Sequence, residues 1–556
     1  MTSTPAFVSP VATLRKFAQQ KPNTIFLRQP FDGGQLRDYT WAQAENHCAR
    51  MAQALLNLGL SSGDKVAILS KNCAEWFLAD WAIQWAGLIS VPIYPTAGVD
   101  TIQYVLDHSE AKVVIVGKLD DWQSQEPGVN PDLVRIAMPF ETMACQHQWN
   151  DLVANTEPMK EPADLTVDDT LSIMYTSGST GKPKGVVVTL GAYNYASQTN
   201  VTVAGLAESD RFISYLPLAH ITERAVIQGP ALYCGSTVYF VESLDTFQHD
   251  LQTARPTKFL SVPRLWTKFQ TGVYKKLPPT KLKILLAIPG LNKLIAKKIR
   301  QGLGLDECDL FGSGTAPISP ATLHWYHRIG IPISEGWGMT ETCGLSCTNI
   351  TFNPSMLGTI GNPIPGTEIK VSDQGELLIR TPGLFKEYYK QPELTKESFT
   401  EDGFFKTGDK VERDEKLQAF RITGRVKDLF KTEKGKYVAP VPIESKLADN
   451  PNIEQICVMG SGQPQPVAVV VLSENGQELT KEDATVSLET TLNKVNLTLE
   501  AHEKLARVIV ADSDWTIDNG LLTPTMKIKR DLIENQYTEV VAQAAQQQVV
   551  WQMDAR

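Results

Sequence analysis

The chain predicts an α/β protein, with a large N-terminal domain of layered α/β units and a small α+β C-terminal domain. Three observations carry this. Up to about residue 425, short β-branched runs alternate with amphipathic stretches, the pattern of parallel sheets covered by helices. After Gly424 the texture changes to two strand-like runs, a helical repeat and a turn signal. Finally, 556 residues at 42% hydrophobic and 21% charged are ordinary globular composition, with length for about three or four domain-sized units.

The elements follow in order. Thr40 and Gln43 form a capping-box pattern opening a helix. Its apolar face is Ala44, Cys48, Met51 and Leu55, and Gly59 stops it. A strand (66–69), a helix (about 74–86, closed by Gly87) and a strand (88–93) then make a βαβ unit. Further strand-like runs are 113–116, 172–175, 212–215, 237–241 and 259–262. Beyond Gly424, 453–458 and 467–472 read as strands, and Leu488, Leu492, Val495 and Leu499 fall at helical spacing. Asn519 and Gly520 are a hairpin-turn signal, and the Gln-rich stretch 542–548 reads as a fraying helix end. The expected domains are therefore 1–425 and 426–556.

Net charge is −9, and the longest clean apolar run, 467–472, is far below the ~20 residues of a membrane span. The N-terminal residues do not read as a secretory signal. Eight scattered cysteines without paired spacing suit a reduced cytoplasm.

Residues 171–189, LSIMYTSGSTGKPKGVVVT, are the most informative stretch. Gly178, Gly181 and Gly185 let backbone approach a ligand closely. Thr176, Ser177, Ser179 and Thr180 add hydroxyl donors, and Lys182 and Lys184 add charge, as wrapping a polyphosphate requires. This is no Walker loop, because Pro183 follows Lys182 where that pattern needs Ser or Thr. Kinase and dinucleotide folds are disfavoured for want of a GxGxxG between a strand and a helix here.

YTSGSTGKPKG resembles the signature loop of the adenylate-forming superfamily: acyl-CoA synthetases, firefly luciferases and peptide-synthetase adenylation domains. Six further motifs follow in the family's order: GSGTAPIS (312–319), SEGWGMTET (334–342), KTGD (406–409), GRVKDLFK (424–431), KGKYVAP (434–440) and LTPTMKIKR (522–530). The resemblance implies a large domain with a β-barrel-like part, a mobile C-terminal domain, and ATP, Mg²⁺ and CoA as cofactor and co-substrates. Joining a carboxylate to ATP brings two anions together, so the protein must position them and absorb charge.

By resemblance, Thr176, Ser177, Gly178, Ser179, Thr180, Gly181, Lys182 and Lys184 hold the β- and γ-phosphates. Glu341, with Thr176, holds Mg²⁺, and Thr340 touches the α-phosphate. Asp409 accepts from the ribose hydroxyls, assisted by Arg425. Trp337, between Gly336 and Gly338, and the backbone of Ser313, Gly314, Thr315 and Ala316 sandwich adenine. Lys527 lies between carboxylate and α-phosphate, where charge develops. Many members carry Gly before this lysine; here it is Met526, and Lys529 is the fallback. Lys427 is the hinge about which the C-terminal domain rotates, and Lys434 faces the nucleotide in the thioester-forming state.

YLPLAHITER (215–224) resembles the substrate segment of long- and medium-chain acyl-CoA synthetases, placing His220 beside the acyl carbonyl with Gly338 on the substrate side. VPRLW (262–266) resembles a segment carrying a tunnel-gating Trp, which makes Trp266 a gate. From Leu251 to Leu305 there are twelve Lys/Arg and no Asp or Glu, interleaved with Leu and Ile. Such a stretch suits an anionic membrane surface, or the phosphates of CoA. Cys343 and Cys347 sit beside Glu341 without a completing ligand pair and read as core thiols.

The expectation is an ATP-dependent fatty acyl-CoA ligase working through acyl-AMP. The alternative is a fatty acyl-AMP ligase that serves a carrier protein, and a second rival is a binding protein that has lost turnover. Expected partners are fatty acid, ATP and CoA, with peripheral membrane contact through 251–305 and no nucleic acid; a homodimer is left open. The expected location is the cytoplasm, at the inner face of the membrane.

Overall fold

A computed structural model describes residues 5–140, 145–176, 182–523, 526–543 and 547–554. The βαβ unit opens onto an eight-stranded sheet. Its strands run, edge to edge, Glu387–Tyr388, Lys184–Thr189, Thr170–Thr176, Ile89–Ile93, Lys65–Leu69, Ala111–Val116, Val134–Ala137 and His147–Gln148. From Thr170–Thr176 to His147–Gln148 neighbours are parallel; the pairs involving Lys184–Thr189 are antiparallel. Central strands covered on both faces read as unbroken apolar runs, which is why 66–69 and 113–116 stand out.

Helix Trp41–Asn57 starts on the expected capping box: Gln43 N–H donates to Thr40 Oγ1 at 3.3 Å, and Gln43 Oε1 accepts from Thr40 N–H at 2.8 Å. Helix Ala74–Trp85 is buried at every position. Its carboxylates therefore need partners. One Arg224 nitrogen bonds both oxygens of Asp80, at 2.7 and 2.8 Å, with both side chains wholly buried. Removing one member of such a pair strands the other charge, at a typical cost of about 3–5 kcal/mol.

A second sheet has five strands, Lys258–Ser261, Leu310–Ser313, Ile333–Met339, Gly344–Thr348 and Asn362–Pro363. The third, of four strands, joins Arg211–Ser214, Thr237–Phe240, Ile25–Phe31 and Gln35–Thr40. The β-rich part is an antiparallel sheet of Glu368–Val371, Glu376–Arg380, Phe405–Asp414 and Ala419–Arg425.

Beyond Arg425 lies a separate sheet, Ile453–Met459, Val467–Leu472, Val508–Val510 and Val549–Trp551, with helices Pro440–Leu447, Lys481–Asn496 and Arg530–Gln543. One local expectation changes here. Asn519 and Gly520 close a loop tied by Thr516 N–H to Asn519 Oδ1 at 2.9 Å, and no pair of named strands flanks them. Of the Gln-rich stretch 542–548, residues 544–546 lie outside the described residues; helix Arg530–Gln543 precedes them, and Val549–Trp551, beyond the stretch, pairs parallel with Val508–Val510. No helix among the described residues is long and apolar enough to cross a membrane.

Candidate active site

Thr176 and Lys184 face each other in the last register pair of their antiparallel strands. The turn between them holds Ser177, Gly178, Ser179, Thr180 and Gly181, which lie outside the described residues. Its return is anchored from helix Val99–Ser109: Tyr104 O–H donates to the Pro183 carbonyl at 3.1 Å, and the Lys182 ammonium lies 5.3 Å from the Tyr104 ring centre. Lys184 sits 5.3 Å from the ring centre of Tyr388, whose hydroxyl donates to Glu341 Oε1 at 2.9 Å. Tyr388 thus joins a phosphate-loop lysine to the expected metal carboxylate. No motif signalled it.

Strand Ile333–Met339 supplies Gly336, Trp337 and Gly338, with an irregular register between Trp337 and Gly338. The partner strand Gly344–Thr348 comes so close there that a Cβ on Gly338 would overlap the Gly344 carbonyl oxygen. Thr340 and Glu341, in the turn joining the strands, are buried. Cys343 is a buried thiol, pushed up to about 12 by burial, and Cys347 is buried as well. Among the described residues no group of three or more His, Cys, Asp or Glu side chains could hold a metal ion. A Mg²⁺ bound mainly through substrate phosphates needs only one or two protein carboxylates, which a buried Glu341 fits.

Asp409 and Arg425 are register partners, and Arg425 Nε donates to Asp409 Oδ1 at 2.9 Å. Asp409 Oδ2 accepts from Trp337 Nε1 at 2.9 Å, so the indole is fixed edge-on to the carboxylate. The Asp409 carboxylate raises the Arg425 pKa, outweighing desolvation. Ser313 Oγ is buried without a hydrogen-bond partner among the described residues, and Thr315 holds a left-handed φ of 70°, while Ala316 is exposed. An unmet buried hydroxyl and a strained residue side by side are marks of a ligand cradle.

These segments frame one cavity of about 110 Å³. Ser313–Thr315 and Gly336–Gly338 form one wall, and Phe212, Val226, Ile227, Phe259 and Leu260 make it apolar. Val226 and Ile227 lie on a π-helical turn, Arg224–Gln228, of the kind that recurs at functional sites. Just ahead of it, His220 Nδ1 accepts from Thr222 N–H at 3.2 Å, which leaves the proton on Nε2. Burial, then the Lys527 charge, lowers the His220 pKa to about 3, so the ring is neutral at working pH. Glu223 is wholly buried, and that pushes its carboxyl up to about 8; at neutral pH it brings little negative charge.

Trp266, the expected gate, does not line this cavity. It is fully buried, donates from Nε1 to the Gly312 carbonyl at 3.2 Å, and stands edge-on to Phe259 at 5.4 Å. Phe259 and Gly312 line the cavity and Trp266 packs behind them, so a swing would break a packed aromatic cluster.

Lys527 is open to solvent yet ringed by protein in the cleft; that crowding, then Arg425, lowers its pKa, against the opposing pull of Asp409 and Glu341. Its charge acts on His220, and the Asp409 and Glu341 carboxylates act on it in turn. Met526, in place of the family's Gly, takes a left-handed φ of 62°, a conformation glycine adopts without strain. Lys529 lies two residues on, with its N–H on the Leu521 carbonyl. Lys427 is exposed in a tight turn between Arg425 and strand Phe430–Lys431. Lys434 sits exposed in the hairpin to Tyr437–Val438, and no interaction of the Asp409–Glu341–Lys527 group involves it.

Comparison with known proteins agrees with this geometry. Residues 14–389 match the AMP-binding enzyme family, and 427–548 match the AMP-binding enzyme C-terminal domain. A long-chain-fatty-acid–CoA ligase of Mycobacterium bovis is 29% identical, with 93% of each chain covered. A chloroplastic long-chain-fatty-acid–[acyl-carrier-protein] ligase of Arabidopsis thaliana is 26% identical over 95% of this chain and 85% of its own. The crystal structure of an anthranilate CoA ligase in complex with anthranoyl-AMP has the same fold, with a TM-score of 0.79 at 22% identity, covering 97% of this chain and 99% of that one. The chain belongs to the AMP-binding enzyme family.

Proposed function

We propose that the protein activates fatty acids with ATP and passes them to CoA. In the first half-reaction a carboxylate oxygen attacks the α-phosphorus, the bond to pyrophosphate breaks, and acyl-AMP forms. In the second, a thiol displaces AMP and the acyl-CoA thioester leaves. The observation that carries this reading is that Lys527 interacts electrostatically both with His220, close in sequence to cavity-lining Thr222, and with the Asp409 and Glu341 carboxylates.

Each group then has a task. Lys527 offsets charge where the two anions meet. His220 donates from Nε2 to the acyl carboxylate, and Gly338 keeps that wall free of side chain. Asp409, oriented by Arg425 and Trp337, takes the ribose hydroxyls. Lys182, Lys184 and Thr176 take the terminal phosphates, and Thr340 the α-phosphate. Glu341 and Thr176 would hold Mg²⁺, which supplies charge neutralisation when bound. Rotation about Lys427 would withdraw Lys527 and bring Lys434 to the nucleotide, opening a path for the thiol.

The test is a fatty-acid panel from C2 to C18 with ATP and CoA, reading AMP and thioester. Turnover confined to longer acids supports the reading, and a strong preference for acetate overturns it. Acyl-AMP accumulating without thioester favours a carrier-protein acceptor, the activity that the Arabidopsis relative's name describes.

Because His220 stays neutral above about pH 3, the pH profile of kcat/KM is expected to show no acid limb near 6.5 arising from it. His220→Ala should lower kcat/KM by about 10-fold or more without altering that limb. A wild-type limb near 6.5 that disappears in His220→Ala would contradict this.

A further inference from the structure

We infer that the helical hairpin formed by Pro279–Ala287 and Leu291–Leu303 docks the protein on an anionic lipid surface. It lies in the stretch where twelve Lys/Arg stand without one acidic residue, inside a chain of net charge −9. Four of those cations are spoken for: Arg255 pairs with Asp306 and Glu307, Lys258 with Asp309, Arg264 with Glu454 and Lys275 with Glu474. Those on the hairpin are different. Lys281, Lys283, Lys293, Lys297 and Lys298 are exposed and make no ion pair among the described residues.

Apolar side chains stand among them. Ile284 is 64% exposed, Ile288 44% and Leu294 51%, and the connecting residues 287–290 (Ala-Ile-Pro-Gly) are all exposed. Ile284 stands in the last turn of helix Pro279–Ala287 and Ile288 caps that helix. Large apolar groups in water beside unpaired lysines have no function within the fold. On a membrane the first enter the acyl–headgroup boundary and the second meet lipid phosphates. A protein partner would need an acidic, apolar groove of matching shape, whereas a lipid surface needs only these two properties.

Position supports the assignment. Leu286, Ala296, Ile299 and Leu303, on the inner side of the hairpin, pack in the same apolar cluster as Phe259 and Phe311. Phe259 and Phe311 line the cavity. A bilayer at the hairpin therefore lies on the far side of the cluster that walls the acyl site. Its use as a source of substrate rests on the fatty-acid reading, but binding is measured without substrate, so either can fail alone.

The experiment is co-sedimentation with phosphatidylcholine vesicles, with and without about one-third phosphatidylglycerol. At low salt the protein should pellet with the anionic vesicles and stay in the supernatant with neutral ones, and about 0.5 M salt should release it. Each of Lys281→Glu, Lys283→Glu and Lys297→Glu should weaken partitioning at least about fivefold. The double variant Ile284→Asp/Ile288→Asp should lose pelleting altogether. Lys396→Glu, outside the hairpin, should match the parent, and all variants should keep the parent's thermal midpoint. A protein that remains in the supernatant at low salt overturns the assignment, as does one that pellets equally with neutral lipid. Hairpin variants that bind like the parent overturn it too, and so does an Ile284→Asp/Ile288→Asp change that dissociates a dimer without altering pelleting.

Discussion

Replacing Lys527 with alanine is expected to lower acyl-adenylate formation by at least about 10²-fold, while supplied acyl-adenylate is still converted to thioester. The argument is electrostatic. The first half-reaction brings a carboxylate against a phosphate, and a compact ammonium is the group that offsets charge as they meet. The cleft around Lys527 already holds two carboxylates, Asp409 and Glu341, with Arg425 close by. Removing the ammonium leaves that cleft short of one positive charge when a third and fourth anion arrive. The lowered pKa adds a signature: Lys527 is a cation below its pKa and neutral above it, so adenylation should fade with rising pH earlier than a free lysine, near 10.4, would permit. Half-reactions measured separately, by pyrophosphate release and by thiolysis of acyl-AMP, check the first expectation. Equal losses in both would mean that Lys527 shapes the site without serving adenylation in particular.

Gly338→Ala should damage both stability and activity. Its Cβ would overlap the Gly344 carbonyl oxygen and lie 2.5 Å from the Gly344 carbon, which are backbone atoms of the paired strand. Neither can turn away as a side chain would, so the hairpin Ile333–Met339/Gly344–Thr348 must open. Overpacking of this kind costs about 3 kcal/mol. The same movement shifts Trp337, whose Nε1 bond holds Asp409 Oδ2, and the turn carrying Thr340 and Glu341. A loss of about 10²-fold in acyl-adenylate formation should accompany the lower urea midpoint. Gly272→Ala is the control. It lies on helix Pro263–Lys276, nothing stands within 4 Å of its Cβ position, and alanine there should stabilise by about 0.5–1 kcal/mol. If Gly338→Ala behaves like the control, the close strand approach is not what keeps that position bare.

Legibility in the sequence followed how local the cause was. The capping box from Thr40 to Gln43 is a four-residue signal, and it is realised as read. The run 467–472 is buried at all six positions because its alternate residues pack into two apolar clusters, one on each face of the sheet, so composition alone betrays it. Val549–Trp551 was hidden, since three residues after a glutamine run carry no periodicity, and only pairing with Val508–Val510 makes them a strand. The surroundings of Trp266 were not legible, because a motif names a residue type without saying which way the ring faces. Here its Nε1 bonds the carbonyl of cavity-lining Gly312 and its ring stands against Tyr326, behind that wall. Tyr388 and the Asp80–Arg224 pair join segments far apart in the chain, and no window of sequence holds both partners. Asp80 nonetheless left a trace: a carboxylate in a helix otherwise almost wholly apolar needs a buried cation somewhere.

The most direct test of the account is exchange of labelled pyrophosphate into ATP, with fatty acid present and CoA absent. The account predicts exchange that requires the acid, appears with long chains and is lost in Lys527→Ala. Exchange that proceeds without any acid, or none with any acid from C2 to C18, would contradict it.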